Sequence, residues 1–128
     1  MGELTTLEPD PAFDAEAHDE TVSTFEAVAD ELNVKVWGGD WCGDCRATLP
    51  GFGAAMDAAG VTDIEHYPVE KEDDGSKTGP RVEEYGIELI PTIVLEIDGE
   101  EVARFVEEEP VPPAQYLAEK LREAGYGN

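Results

Sequence analysis

The sequence predicts one α/β domain in which a mixed central β-sheet of about four strands carries helices on both faces. Three observations support this class. Apolar residues recur first at helical spacing and then in short strand-like runs, so that helix and strand alternate along the chain. Asp98-Gly99 separates two later strand-like runs, as in a tight hairpin, which adds antiparallel pairing to the sheet. A length of 128 residues fits one domain with a core of its own.

Each element follows from a local pattern. Apolar residues fall on one face of each of the first two predicted helices: Phe25, Val28, Ala29 and Leu32 in the first, and Leu49, Phe52 and Met56 in the second. Pro50 should kink the second helix because proline lacks a backbone N–H, and Gly60 should end it. Residues 1–12 are expected to be a loose lead-in to a single domain over 13–126. The predicted elements are, in chain order, a helix over 13–32, a strand over 34–37, a helix over 43–59, a strand over 64–69, a helical turn near 80–85, hairpin strands over 92–97 and 101–106, and a helix that starts at Pro112 and Pro113 and ends at Gly125.

The charge of the chain limits its partners. Eight Lys and Arg face 31 Asp and Glu, a formal net charge of −23, which repels nucleic acid and anionic membrane surfaces. Residues 1–9 show no signal peptide, and no run of about 20 apolar residues could span a membrane. We therefore expect a cytoplasmic protein with no nucleic-acid or membrane partner, and a monomer.

The acidic composition is typical either of a disordered chain or of a folded domain adapted to concentrated salt. Strand-forming runs over 90–97 and 102–106 favour the folded, salt-adapted alternative. At about 1 M salt the Debye length falls to roughly 3 Å, so repulsion between surface carboxylates is largely screened. We predict a lower melting temperature in dilute buffer than in molar NaCl, measured by circular dichroism. Equal melting temperatures in the two buffers would contradict this prediction.

The segment Trp41-Cys42-Gly43-Asp44-Cys45 contains the only two cysteines, and it follows a predicted strand and opens a predicted helix. This context indicates a redox-active Cys-x-x-Cys pair, since residues i and i+3 on a first helical turn bring two sulfurs within disulfide reach. The free N–H groups at a helix start stabilise a thiolate, most of all at Cys42. Cys42 is therefore predicted to be the nucleophile, and Cys45, one turn further in, the resolving cysteine.

Two other interpretations of the cysteines compete with redox chemistry. A zinc site needs four ligands, and neither His18 nor His66 stands at finger-like spacing from the cysteines, so no metal site is predicted. An inert buried pair of cysteines is the second alternative. Structural disulfides are rare in the cytoplasm, which favours redox use of the pair.

These motifs resemble the thioredoxin family. Residues 41–45 are similar to the family's Trp-Cys-Gly-Pro-Cys, and Pro50 matches its helix-kinking proline. Residues 85–92, Tyr-Gly-Ile-Glu-Leu-Ile-Pro-Thr, resemble the family's Tyr-Gly-Ile-x-x-Ile-Pro-Thr, and the hairpin follows at the family distance. The resemblance covers about residues 34 to 106 well and implies a thioredoxin-like fold.

The resemblance implies a site and a function. Pro91 should be a cis proline beside the cysteine pair, and the substrate-facing residues should be Trp41, Gly43, Asp44, Ile90 and Pro91. The implied activity is reduction of protein disulfides through a Cys42–Cys45 disulfide, with no other cofactor and with a thioredoxin reductase or equivalent as electron donor. The alternative is a protein-binding module on the same fold with little or no redox turnover; an oxidase or isomerase fits a reducing cytoplasm less well.

The chain departs from the family pattern at four positions. Asp44 replaces a proline, and its carboxylate opposes a nearby thiolate while it can also cap helix N–H groups. Val36 stands where many thioredoxins carry a buried Asp thought to take the proton of the second cysteine. His66 stands where a Lys is frequent, and its imidazole could move protons near neutral pH, although a core or surface role is the simpler interpretation. Glu107 replaces a glycine near the groove.

Overall fold

The structure is a computed structural model that describes residue 14 and residues 16–39, 43–71, 77–79, 81–106 and 113–126, without the side chains of Asp44, Lys71 and Lys77. The lead-in predicted for residues 1–12 lies outside the described residues. The elements in chain order are α1 (Asp19–Val28), β1 (Leu32–Gly38), α2 (Gly43–Ala59), β2 (Ile64–Pro68), β3 (Glu70–Lys71), β4 (Lys77–Thr78), α3 (Val82–Tyr85), β5 (Thr92–Ile97), β6 (Glu100–Val106) and α4 (Pro113–Glu123).

Four strands form the main sheet in the order β2-β1-β5-β6. β1 pairs with β2 in parallel, whereas β1 with β5 and β5 with β6 are antiparallel. The prediction of a mixed sheet of about four strands is therefore confirmed. A separate two-residue ladder joins β3 to β4, between the predicted strand over 64–69 and the predicted helical turn near 80–85, where no strand is predicted.

The two faces of this sheet differ in chemistry. One face presents apolar side chains such as Val34, Val36, Ile93 and Leu95, all fully buried. Helices α1, α2 and α4 contact one another on this side, and α4 also contacts β6, where Tyr116 meets the ring of Phe105 edge-on. The opposite face presents alternate residues of the same strands, which are mostly polar or aromatic apart from the buried Val94, and among the described helices only α3 lies there. Helices on both faces are thus confirmed, three against one within the described residues.

Local signals at turns and helix ends agree closely with the structure. Asp98 and Gly99 both have positive φ, 56° and 80°, and Ile97 pairs with Glu100 across the two-residue loop. This left-handed backbone is what a twisted antiparallel hairpin requires. α2 has the predicted bounds, contains Pro50, and is followed by Gly60 at φ 77°. The predicted apolar face of α2 is buried: Leu49, Phe52 and Met56.

The predicted helix over 13–32 is too long at both ends: residue 14 is not helical, residues 16–18 form a turn, and α1 begins only at Asp19. α1 ends at Val28, and Leu32 instead begins β1, where it pairs with Ile97 of β5. Phe25 and Val28 are buried as the helical spacing predicts. Leu32 continues that spacing by coincidence, because a leucine satisfies both a helical core position and the first core position of a strand.

Smaller corrections concern element ends. β2 stops at Pro68, one residue earlier than predicted, and the N–H of Val69 donates to the carbonyl of Gly38. β6 begins at Glu100, one residue earlier, because the hairpin loop has only two residues. α4 begins at Pro113, while Pro112 lies outside the described residues. Among the described helices, none is both long and apolar enough to cross a membrane.

Candidate redox site

The site is built where β1 ends and α2 begins. β1 ends at Gly38, and the backbone N–H of Gly39 donates to Sγ of Cys45 at 3.5 Å. α2 starts at Gly43, so Cys45 lies in its first turn. The local sequence explains this geometry, since two glycines allow the chain to leave the strand and pass close to the sulfur. The backbone therefore holds Cys45 directly at the carboxyl end of β1.

Cys45 is fully buried, with an exposed fraction of 0%. It belongs to the same apolar core as Leu49 and Ile90. An N–H donor and a helix first turn both stabilise negative charge on sulfur, while burial shields the sulfur from a large substrate. A thiol held in this way suits an intramolecular attack better than a first encounter with a protein disulfide.

The peptide bond between Ile90 and Pro91 is cis, which confirms the expectation drawn for Pro91. Both residues are buried. Trp37 pairs with Thr92 in the β1–β5 ladder, so Pro91 lies next to the residues that follow Trp37 at the end of β1. Cys45 and the Ile90–Pro91 pair therefore share one end of the sheet.

The described residues account for part of the predicted site. Gly43 is exposed at the start of α2, and it joins Cys45, Ile90 and Pro91 at the same end of the sheet. Trp41, Cys42 and the side chain of Asp44 lie outside the described residues, as does Glu107. Their assigned roles stay predictions. Within the described ranges, no three His, Cys, Asp or Glu side chains cluster so as to hold a metal ion.

Val36 and His66 are neighbours in the parallel β1–β2 pair. Both side chains lie on the sheet face that α1, α2 and α4 cover. Val36 is fully buried there and His66 is half-buried. The valine supplies no group that could take a proton there. A proton acceptor for Cys45 in its predicted resolving role would therefore have to be a group other than residue 36.

Sequence reasoning missed a charged cluster on the opposite face of the sheet. Lys35 is only 5% exposed, and its ammonium donates to Glu65 at 3.2 Å and to Glu96 at 3.0 Å. Burial disfavours the charged ammonium, but the hydrogen bonds to Glu96 and Glu65 outweigh it and raise the pKa of Lys35. A lysine inside the apolar run 34–37 was the available signal, since a buried lysine requires a partner. Its partners, 30 and 61 residues away, carry no local signal.

Comparison with known proteins shows the family of this chain. The family model described as Thioredoxin matches residues 12–122, most of the chain. The chain belongs to the thioredoxin family. It is 31% identical over 81 residues to the thioredoxin of Chlamydia trachomatis serovar D, a match that covers 63% of this chain and 74% of that protein.

Solved structures share the thioredoxin fold at lower identity. A protein of unknown function from Pseudomonas aeruginosa is 19% identical, with a TM-score of 0.52 over 85% of this chain and 69% of that chain. A mutant thioredoxin from Halobacterium salinarum is 22% identical, with a TM-score of 0.48 over 99% of this chain and 97% of that chain. Family and fold together support a thiol–disulfide oxidoreductase role in general for this thioredoxin-family protein.

Proposed function

We propose that this thioredoxin-family protein reduces protein disulfides through a dithiol–disulfide couple of Cys42 and Cys45. The observation that carries the proposal is the placement of Cys45: its sulfur is buried in the first turn of α2 and accepts an N–H from Gly39. Cys42 precedes it by three residues in the sequence, a spacing that permits a disulfide between the two cysteines. A buried resolving thiol next to a more accessible nucleophile is the arrangement that the exchange reaction needs.

The proposed reaction has two exchange steps. The thiolate of Cys42 attacks one sulfur of the substrate disulfide, so that a Cys42–substrate bond forms, the substrate S–S bond breaks, and the first substrate thiolate leaves. Cys45 then loses its proton and attacks Cys42, which forms the Cys42–Cys45 disulfide and releases the second substrate thiolate. The substrate gains two electrons and two protons, and the protein loses them.

The proposed reaction also needs a surface that binds the substrate and a donor that returns electrons. Gly43, Ile90 and Pro91, together with Trp41 and Asp44, form the surface that receives the substrate. A thioredoxin reductase or an equivalent donor returns two electrons to the disulfide, and no cofactor other than the cysteine pair takes part. The protein works as a monomer in the cytoplasm, where the redox poise favours reduction of disulfides.

Insulin reduction in 1 M NaCl tests this function. The wild-type protein, with dithiothreitol as electron donor, should accelerate precipitation of the reduced insulin B chain, followed by turbidity. Cys42→Ser should reduce the rate to that of dithiothreitol alone, because the nucleophile is lost. A folded wild-type protein that gives no acceleration would contradict the proposal and favour the protein-binding alternative.

A further inference from the structure

A closed ring of hydrogen bonds lies between α3 and the polar face of the sheet. Its six side chains come from β1, β2, β5 and the start and end of α3. We call it the polar ring: Lys35, Glu65, Tyr67, Arg81, Tyr85 and Glu96.

Lys35 closes the ring on the sheet side, because its ammonium donates to both Glu65 and Glu96. Arg81 closes it on the helix side, donating to the hydroxyl of Tyr67 at 3.1 Å and to the hydroxyl of Tyr85 at 3.3 Å. The two tyrosines connect these sides, since Tyr67 donates to Glu65 and Tyr85 donates to Glu96 at 2.7 Å. Each member therefore has two partners within the ring, and the short helix α3 is tied to three strands.

Tyr85 holds the last turn of α3 to the sheet at three points. Its hydroxyl bonds to Glu96 on β5, and its backbone carbonyl accepts from Arg104 on β6 at 2.8 Å. Its aromatic ring lies 4.9 Å from that of Trp37 on β1, measured between centroids. These contacts fix the position of the residue at which α3 ends.

The segment that follows Tyr85 leads directly to the candidate redox site. Gly86 has φ 65° and ends α3, and five residues later the chain reaches Pro91 and enters β5. Thr92 at the far end of this segment pairs with Trp37, the same residue whose ring lies against Tyr85. Both ends of the segment 86–91 are thus held against one residue of β1, two positions before the N–H that contacts Cys45.

We propose that Tyr85 is a positioning residue for substrate binding. Its hydroxyl, held by Glu96, fixes the segment 86–91 and so places the substrate-facing residues Ile90 and Pro91 relative to the cysteine pair. The role rests on the proposed disulfide reduction. It acts on the binding of a protein substrate and leaves the intrinsic reactivity of Cys42 unchanged, because the polar ring lies on the face of the sheet opposite α2.

Tyr85→Phe removes the hydroxyl and keeps the ring against Trp37. In insulin reduction we expect KM to rise about fivefold, the equivalent of one net hydrogen bond, while kcat stays within about twofold. Alkylation of Cys42 by iodoacetamide should keep its wild-type rate. Hydrogen exchange should be faster at the Ile87 amide, which follows α3 and donates to the carbonyl of Val82 at the start of that helix, and unchanged in α4.

Tyr116→Phe is the matched control, since it removes a tyrosine hydroxyl from α4 on the other face of the sheet, and KM should not change. Glu96→Gln keeps an oxygen that can accept from Tyr85, and it should retain most of the wild-type affinity. Glu96→Leu removes that oxygen together with the carboxylate that pairs with Lys35, and it should raise KM at least as much as Tyr85→Phe does. The double variant Tyr85→Phe/Glu96→Leu should add little further, because both changes break the same bond.

The outcomes separate the positioning role from the proposed function. Suppose that the wild-type protein turns over. An unchanged KM in Tyr85→Phe, or additive effects in the double variant, would then contradict the positioning role and leave the proposed function intact. A parallel loss of iodoacetamide reactivity would also contradict it, since Tyr85 would then act on the sulfur. Absence of wild-type turnover contradicts the proposed function, and the positioning role fails with it.

Discussion

Replacement of Cys45 by serine is expected to stop turnover and to leave Cys42 joined to its substrate in a mixed disulfide. In the proposed mechanism, Cys45 breaks this intermediate by attacking the sulfur of Cys42 from the first turn of α2. A serine hydroxyl is too weakly acidic to do so, and the intermediate then persists. On a non-reducing gel, Cys45→Ser incubated with a disulfide-containing protein should show an adduct that dithiothreitol removes, and insulin reduction should fall to the background rate.

Cys42→Ser is the matched control because it retains one thiol, but the buried one. Cys45 has no exposed surface, so a protein disulfide cannot reach its sulfur in the folded state. We expect no adduct with Cys42→Ser under conditions in which Cys45→Ser forms one. An adduct with Cys42→Ser would show that Cys45 is the attacking sulfur. Full turnover by Cys45→Ser would show that Cys45 is not needed as the resolving sulfur.

Lys35→Met is expected to lower the free energy of unfolding far more than loss of a surface lysine does. The lysine side chain is 7% exposed and the Glu96 side chain 12% exposed, so the change leaves a poorly hydrated carboxylate without its cation. Removing one partner of a buried ion pair costs about 3 kcal/mol in the free energy of unfolding. Urea denaturation at constant NaCl measures this cost, and adding Glu96→Gln should recover part of it.

Lys120→Met provides the comparison at the surface. Lys120 lies 3.6 Å from Glu123, and their side chains are 42% and 68% exposed. Such a pair contributes at most about 1 kcal/mol, and salt weakens it further. The cost of Lys35→Met should persist in 1 M NaCl because burial limits screening. A cost equal to that of Lys120→Met would show that the buried pair is hydrated in solution.

The same cluster predicts the direction of the pH dependence. The hydroxyl of Tyr67 and two further donors hold the pKa of Glu65 below its usual value, so its contribution is present above about pH 4.3 and is lost as the pH falls through the lowered value. The pKa of Lys35 is raised, so its contribution is present below about pH 10.4 and is lost as the pH rises through the raised value. Lys35→Met should weaken the alkaline part of this dependence in urea denaturation without abolishing it, because burial of Tyr67 and the hydrogen bond of Tyr85 to Glu96 also raise the pKa values of these two tyrosines.

Features that depend on a residue and its near neighbours could be predicted from the sequence. Asp98-Gly99 favours positive φ at both positions, and this preference selects the two-residue hairpin loop, although the β5–β6 ladder shifts register further on, between Leu95 and Glu96. The spacing of Leu49, Phe52 and Met56 defines the buried side of α2, and Gly60 ends the helix at the expected place. The cysteine spacing was likewise available from a short motif, whereas the cis bond before Pro91 was expected from the resemblance to the thioredoxin family.

Tertiary structure decided the features that depend on which distant segments become neighbours. The end of α1 could not be predicted because Leu32 satisfies both helical and strand spacing, and only its pairing with Ile97 resolves the choice. The partners of Lys35 follow from the sheet order, which brings β2 and β5 to either side of β1. The sequence by itself thus determined the local elements and the cysteine chemistry to expect, whereas the sheet order determined which charges meet. The physical reason is that backbone preference is local, while burial of a charge is favourable only when packing brings its partner to it.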